Sequence, residues 1–241
     1  MTWSIIHRER SSGRIAVAVA TKFFAVGARV PYVAPRKGAV CTQALVNPLY
    51  GPAGLRLIGE GVGAADVVRL LTASDDGRAH RQLHVLGADQ RFAAHTGAEC
   101  VPWCGHWLGE DFSVAGNMLA GPQVVAETVR FFRENESMAL PRRLIGALKA
   151  GEKAGGDMRG KQSAALVIYN DQDYSELDLR VDDHVEPLLE LARLEAVSHE
   201  HWTTFRGFLA THENPAGFYD RTKIMDALQK SQAAERAKAA E

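Results

Sequence analysis

Cysteine is scarce, with three residues, Cys41, Cys100 and Cys104, in a chain of 241. So sparse and odd a count does not make a disulfide framework, and the expected compartment is a reducing one. Net charge is almost absent as well. The balance is 28 basic against 29 acidic residues, a formal charge of -1, which leaves no electrostatic footprint for nucleic acid or an anionic membrane. The longest apolar run, over 15–30, is cut by Thr21-Lys22 and by Arg29, so it is no membrane span. No leader-like segment, linker or internal repeat stands out. These absences predict a soluble, cytoplasmic protein whose partners are small or neutral molecules, with no cofactor and no metal.

What is present is an ordinary globular composition, 46% hydrophobic and 24% charged, enough for a full core. The first two dozen residues organise the rest. Trp3, Ile5 and His7 alternate with Thr2, Ser4 and Ile6, Ser11-Ser12-Gly13 supplies a turn, and Ile15, Val17 and Val19 resume the period of two. This predicts a β-hairpin headed by Thr2. Removal of Met1, usual before a small residue, would leave Thr2 with a free α-amine. That amine, with an ordinary pKa of about 8, can take the proton of its own hydroxyl as the oxygen attacks a carbonyl. The plain alternative is an edge strand that happens to begin with threonine.

Downstream, a loop is expected around Gly27, Pro31 and Pro35, and a strand over 38–43. A run of turn residues follows, Asn47-Pro48, Gly51-Pro52 and Gly54, and then an amphipathic helix over 64–72. Segments 82–86 and 91–96 read as a hairpin, and 100–107 as a Cys/Trp-rich connection. A strand is expected at 112–114, helices at about 123–133 and 141–150, and strands at 164–169 and 177–181. From His184 the chain looks helical, with a break over 212–217 and a charged, alanine-rich end. Strands, helices, strands, helices is not the one-by-one alternation of a doubly wound sheet; it suits antiparallel sheets stacked face to face between helices. The fold class is therefore α+β. Residues 1–195 form the main domain and 196–241 a helical extension.

MTWSII at the start, GRIAVAVATKF (13–23), GAVCTQALVNPLYG (38–51), HRQLHV (80–85), FSVAGNML (112–119), GGDMRGKQSAAL (155–166) and LRVDDH (179–184) occur in that order. Together they resemble the DUF1028 family of N-terminal-nucleophile (Ntn) hydrolase-like proteins. The resemblance implies a four-layer αββα sandwich. It also implies amide hydrolysis by Thr2, with an unknown small amide-containing substrate and assembly into a homo-oligomer; the alternative is a non-catalytic member that binds a ligand or assembles with itself.

The hairpin is also similar to the opening of proteasome-type subunits, where a lysine helps the threonine, which makes Lys22 the candidate here. An ammonium near the amine would lower its pKa and favour the reactive neutral form. Gly116 and Asn117, after a strand, suit an oxyanion hole, through a backbone N–H and a side-chain amide; one such donor contributes about 3 to 4 kcal/mol. Asp157 and Ser163 occupy the region where proteasome-like members place residues that orient the amine, and Arg159 could clamp a carboxylate. Thr42, Gln43 and Asn47 could line the substrate side of the cleft. Each also has a structural reading, as strand end, turn or solvated loop. Cys41 lies in an apolar run and reads as core. Cys100, Cys104 and His106, with His95 near, have partial zinc spacing but no second cysteine pair.

Overall fold

The computed structural model describes residues 2–239, with side chains described to residue 234. Met1, on whose removal the Thr2 expectation depends, lies outside the described residues. The chain divides into two units, Met1–Leu191 and Ala192–Glu241.

The first unit opens with β1 (Thr2–Arg8) and β2 (Ile15–Thr21), paired antiparallel so that Thr2 faces Thr21 and Arg8 faces Ile15. Next come β3 (Pro31–Ala34), β4 (Gly38–Ala44), α1 (Tyr50–Gly59), α2 (Ala64–Ala73), β5 (Arg81–Leu86) and β6 (Phe92–Thr96). Then follow β7 (Gly105–Leu108), β8 (Phe112–Asn117), α3 (Pro122–Glu134), α4 (Leu140–Lys153), β9 (Ser163–Tyr169), β10 (Ser175–Val181) and α5 (Pro187–Glu200). The last of these carries the boundary between the units.

The strands make a six-stranded sheet in the order β10-β9-β2-β1-β8-β7 and a four-stranded sheet in the order β3-β4-β5-β6. Every pairing is antiparallel. The sheets face each other through β1, β2 and β8 on one side and β3, β4 and β5 on the other. Helices α1 and α2 cover the four-stranded sheet, and α3 and α4 the six-stranded one. The result is the four-layer αββα sandwich.

Both faces of each central strand are therefore covered, and the period of two sorts them. On β1, Ile6 joins Ile15, Val17 and Val19 in the inter-sheet core, whereas His7 turns outward onto the Phe132 ring of α3, with centroids 5.0 Å apart. Thr2 and Ser4 alternate in step with Ile6, so their side chains also enter the space between the sheets.

Three elements differ from expectation. The stretch 50–59 is a helix, not a run of turns: Gly51 and Gly54 serve close packing, since a Cβ at Gly51 would lie 2.4 Å from the Tyr32 ring and one at Gly54 2.8 Å from Val40. The proline-containing stretch 31–34 is an edge strand, where a missing N–H is tolerated. Part of the Cys/Trp-rich connection is β7, the other sheet's edge.

In the second unit, α6 (Trp202–Phe205) and α7 (Arg221–Ala239) follow α5, and Thr204 bonds Ser231 at 2.8 Å. The Phe208 and Phe218 rings lie 5.5 Å apart across the 212–217 break. No helix among the described residues is long and apolar enough to cross a membrane.

Candidate functional site

The strand registers set four polar residues in one row at one end of the six-stranded sheet. Asn117 of β8 pairs with Thr2 of β1, Thr2 with Thr21 of β2, and Thr21 with Ser163 of β9. Residues paired across a ladder point to the same face. The row thus aims into the inter-sheet space, and the Thr2 and Thr21 hydroxyl oxygens lie 3.1 Å apart. Thr21 was not anticipated. The signal was available in the hairpin, because pairing Arg8 with Ile15 across the turn carries Thr2 onto Thr21.

From the facing sheet, Gln43 of β4 donates from Nε2 to the Thr2 carbonyl at 3.4 Å, and Asn117 donates from Nδ2 to the same oxygen at 3.4 Å. Gln82 of β5 joins them: its Oε1 accepts from Gln43 at 2.8 Å and from Asn117 at 3.0 Å. Its own Nε2 donates to the Gly116 carbonyl at 2.8 Å, the Gly105 carbonyl at 3.1 Å and Thr96 Oγ1 at 3.0 Å.

The network continues inward. Ser4 gives its one hydroxyl proton to Gln43 Oε1 at 2.7 Å, so the His84 Nε2 at 2.8 Å must be the donor to Ser4. Nδ1 of His84 then accepts from Ser113 at 2.8 Å. Burial, with a smaller push from His106, holds the His84 pKa down to about 3, so the ring is neutral. Ser4, Gln43, Gln82, His84, Ser113 and Asn117 are all at most 1% exposed, and Asn117 Oδ1 has no hydrogen-bond partner.

The other expected residues fall in three places. Asp157, beside β9, accepts the Lys22 backbone N–H at 2.7 Å and the Arg159 backbone N–H at 2.8 Å, and the Arg159 guanidinium is 3.2 Å from Oδ2. The Lys22 ammonium donates to the Lys161 carbonyl at 3.0 Å, so the hydroxyl beside Thr2 belongs to Thr21 and the lysine joins the site through its peptide group. Ser163 accepts the Val26 N–H at 3.1 Å and donates to the Phe23 carbonyl, tying down the turn after β2.

Thr42 alternates with Gln43, so it faces α1 and not the Thr2 end; its hydroxyl donates to the Asn47 carbonyl at 3.1 Å. Asn47 in turn donates to Asp75 at 3.2 Å. Asp75 also accepts from Tyr50 and Arg81, and these bonds, the Arg81 one foremost, hold its carboxyl far below the usual range.

Gly116 lies between Trp3 and Gly105 in the ladders. The Phe112 carbonyl accepts from Gly109 on the β7 side, so two-residue alternation sends the Gly116 N–H toward β7 as well. The amide of Asn117 is likewise turned with its donors on the Thr2 carbonyl and Gln82, which leaves an acceptor open.

On the helix side of β1 is a cavity of about 180 Å³, lined by Trp3, Ala20, Glu152, Gly156, Asp157 and Lys161 among others. Trp3 and Ala20 alternate with Thr2 and Thr21, but Thr21 also lines this cavity, which therefore reaches the strand end that carries the Thr2 hydroxyl.

Cys41 is fully buried, and burial raises its thiol pKa strongly, which describes an inert core residue. Cys100 and Cys104 reach the carbonyls of Arg81 and Cys100, His106 reaches Thr96, and His95 reaches the Arg78 carbonyl. Among the described residues no group of three or more His, Cys, Asp or Glu side chains could hold a metal.

A threonine heading a central strand between two stacked antiparallel sheets defines the class of αββα sandwich with a strand-end polar site. Within that class, the chain belongs to DUF1028, a family of unknown function, whose model matches residues 2–191. A DUF1028 protein from Silicibacter pomeroyi has a crystal structure similar to this one, with 27% identity and a TM-score of 0.84 over 91% of this chain and 96% of that one. Anbu, an ancestral β-subunit, from Yersinia bercovieri is 11% identical at a TM-score of 0.42, covering 81% of this chain and 94% of its own. Anbu from Hyphomicrobium sp. strain MC1 is 12% identical at a TM-score of 0.39, covering 81% and 94%. No curated protein matches the chain.

Proposed function

We propose that the protein is an N-terminal-nucleophile amide hydrolase acting on a small substrate, with Thr2 as nucleophile once Met1 is removed. The Thr2 hydroxyl attacks the amide carbonyl carbon while its own α-amine takes the hydroxyl proton. The proton passes to the leaving nitrogen as the C–N bond breaks, and water then opens the Thr2 ester. The observation that supports this reading is the row Asn117-Thr2-Thr21-Ser163, in which the Thr2 hydroxyl heads a central strand among hydrogen-bonding neighbours.

In this reading Asn117 and Gln43 hold the Thr2 main chain. Asp157 and Ser163 fix the turn that borders it, Asp157 through the Lys22 N–H and Ser163 through the Val26 N–H and the Phe23 carbonyl. Arg159 and Gly116 complete the surroundings, and Thr42 and Asn47 support the Gln43 strand from its outer face. The protein works in the cytoplasm, without a cofactor, as a homo-oligomer.

The test is turnover. A chain prepared with Thr2 first should hydrolyse members of a panel of small acyl anilides, and Thr2→Ala should abolish the activity. Equal turnover in the two proteins would reject Thr2 as nucleophile.

A second reading, a non-catalytic member of the fold that binds a ligand or assembles with itself, is favoured by one observation: the Lys22 ammonium is engaged with the Lys161 carbonyl and not with Thr2. A Thr2-first chain that binds anilides without cleaving them would support it.

A further inference from the structure

We infer that Gln82 is a positioning residue: it fixes the Asn117 amide so that this side chain presents an acceptor, not a donor, to the head of β1. The functional meaning rests on the reading of Thr2 as nucleophile. The orientation itself does not.

The argument begins with atoms that have no freedom. The Gly116 and Gly105 carbonyls can only accept, and both are met by the Gln82 amide nitrogen, at 2.8 and 3.1 Å. Thr96 Oγ1 takes a third contact at 3.0 Å. The nitrogen end of Gln82 is thereby fixed by main chain, and its oxygen must point the other way. There it accepts from Gln43 and Asn117, at 2.8 and 3.0 Å.

A rotated Asn117 would set oxygen against Gln82 Oε1 and against the Thr2 carbonyl, two repulsive contacts where there are now two bonds. Nδ2 must therefore face Gln82, and Oδ1 is left over. That oxygen is enclosed and lacks any partner, in a residue 1% exposed and in register with Thr2. A buried acceptor left unpaired costs free energy, and a donor brought to it recovers the loss.

The donor that fits is the α-ammonium of a chain beginning at Thr2. The Arg8 N–H reaches β8 at the Asp111 carbonyl, and alternation along β1 turns the Thr2 nitrogen to β8 as well, onto the Asn117 main-chain carbonyl; a free ammonium has two further protons, one of which can serve the Asn117 side-chain oxygen beside it. An acceptor bonded to the ammonium favours its protonated form and raises its pKa, which decides when the amine becomes a base. Gln82 acts on that titration only through Asn117. The charged and titratable groups around this end are Lys22, Asp157, Arg159 and Lys161, in the segments that flank β2 and β9, Glu152 on α4, and His84 and His106, on β5 and β7. They are identical in wild type, Gln82→Met and Asn117→Ala, so a difference among these three reports the amide.

The test uses full-length protein prepared with Thr2 first. The pKa of the α-amine is read from the pH dependence of its acetylation by acetic anhydride, followed by intact mass, a readout independent of the hydroxyl. Gln82→Met removes the fixing bonds and Asn117→Ala the acceptor; each should lower the amine pKa by about one unit, a tenfold change in the protonated ratio. Gln82→Glu, protonated in this buried place, keeps an acceptor for both amides and one of the donors to the main-chain carbonyls, so its fall should be smaller than that of Gln82→Met.

Should the Gln82 variants fail to fold, wild-type NMR decides: both Asn117 Nδ2 protons should be protected from solvent exchange. An unchanged amine in Gln82→Met and Asn117→Ala, an equal fall in Gln82→Met and Gln82→Glu, or freely exchanging Asn117 Nδ2 protons would overturn the assignment. Failure of the nucleophile reading looks different: the amine shifts as expected, but no anilide is cleaved.

Discussion

The space between the sheets is built in two ways. Toward one end it is apolar, with Ile6, Ile15, Val17, Val19, Ala39, Cys41 and Leu86 in one buried cluster. Toward the Thr2 end it is filled by Ser4, Gln43, Gln82, His84, Ser113 and Asn117, as deeply buried but joined by hydrogen bonds. Strands β1, β4 and β5 supply residues to both halves, whereas β2 adds to the apolar one and β8 to the polar one. Apolar contact is non-directional and tolerates small shifts, whereas each amide and imidazole here accepts only one arrangement of its neighbours. The difference teaches that one half holds the sheets together and the other holds Thr2 and its neighbours in a single geometry.

The largest expected effect lies in the apolar half. Leu86→Ala should cost about 2 to 5 kcal/mol in urea unfolding. It should leave the reactivity of Thr2 unchanged, and a parallel loss of both would blur the division between the halves.

Acid should act on buried histidines. The folded-state pKa of His84 is about 3, from burial and then His106, and that of His7 about 4, from burial and then Arg143, both below the ordinary 6.5. The unfolded chain therefore binds more protons between those limits. Stability should be constant above about pH 6.5 and fall as pH drops toward 4, by up to about 1.4 kcal/mol per pH unit for each histidine. Denaturant midpoints measured against pH, compared with His84→Gln, should show roughly half the slope in the variant; an identical slope would mean that His84 is already protonated or open to water.

Smaller effects are expected at the edge of the polar half. Asp157→Ala leaves the Lys22 and Arg159 N–H groups without their acceptor. It should cost about 1 to 3 kcal/mol and speed hydrogen exchange at the Lys22 amide, and an unchanged exchange rate would show that this bond does not hold the turn. Smallest of all, Lys22→Met should change stability by about 0.5 kcal/mol or less and Thr2 reactivity by roughly threefold at most, because the ammonium rests on the Lys161 carbonyl. A loss of a hundredfold or so would instead bring that ammonium to the hydroxyl.

Much of the fold was legible because the period of two along β1 and β2 and the order of strands and helices depend on local pattern alone. Two of the three misread segments were those in which proline and glycine serve packing or an edge; the third, β7, is a short edge strand inside the Cys/Trp-rich connection. Gly51 makes room for Tyr32 inside a contact and does not mark a turn, and Pro31 begins an edge strand.

Of the residues expected around Thr2, the structure brings Asn117 and Ser163 into its row and Gln43 onto its carbonyl. On β5, Gln82 and His84 alternate with Leu83 and Val85 in a way that normally marks a wet face. Here both faces are covered, so polarity marks the interior of the polar half, and only the paired sheet reveals it. Thr42 illustrates the converse: it adjoins Gln43 in sequence, yet alternation sends it to the other side of the sheet.

The most direct measurement is tandem mass spectrometry of the protein, expressed as the full chain and treated with a β-lactone. The account predicts a polypeptide that lacks Met1 and carries the ester on the Thr2 side chain, with no adduct in Thr2→Ala. A chain that retains Met1, or an adduct that persists when Thr2 is replaced, would contradict it.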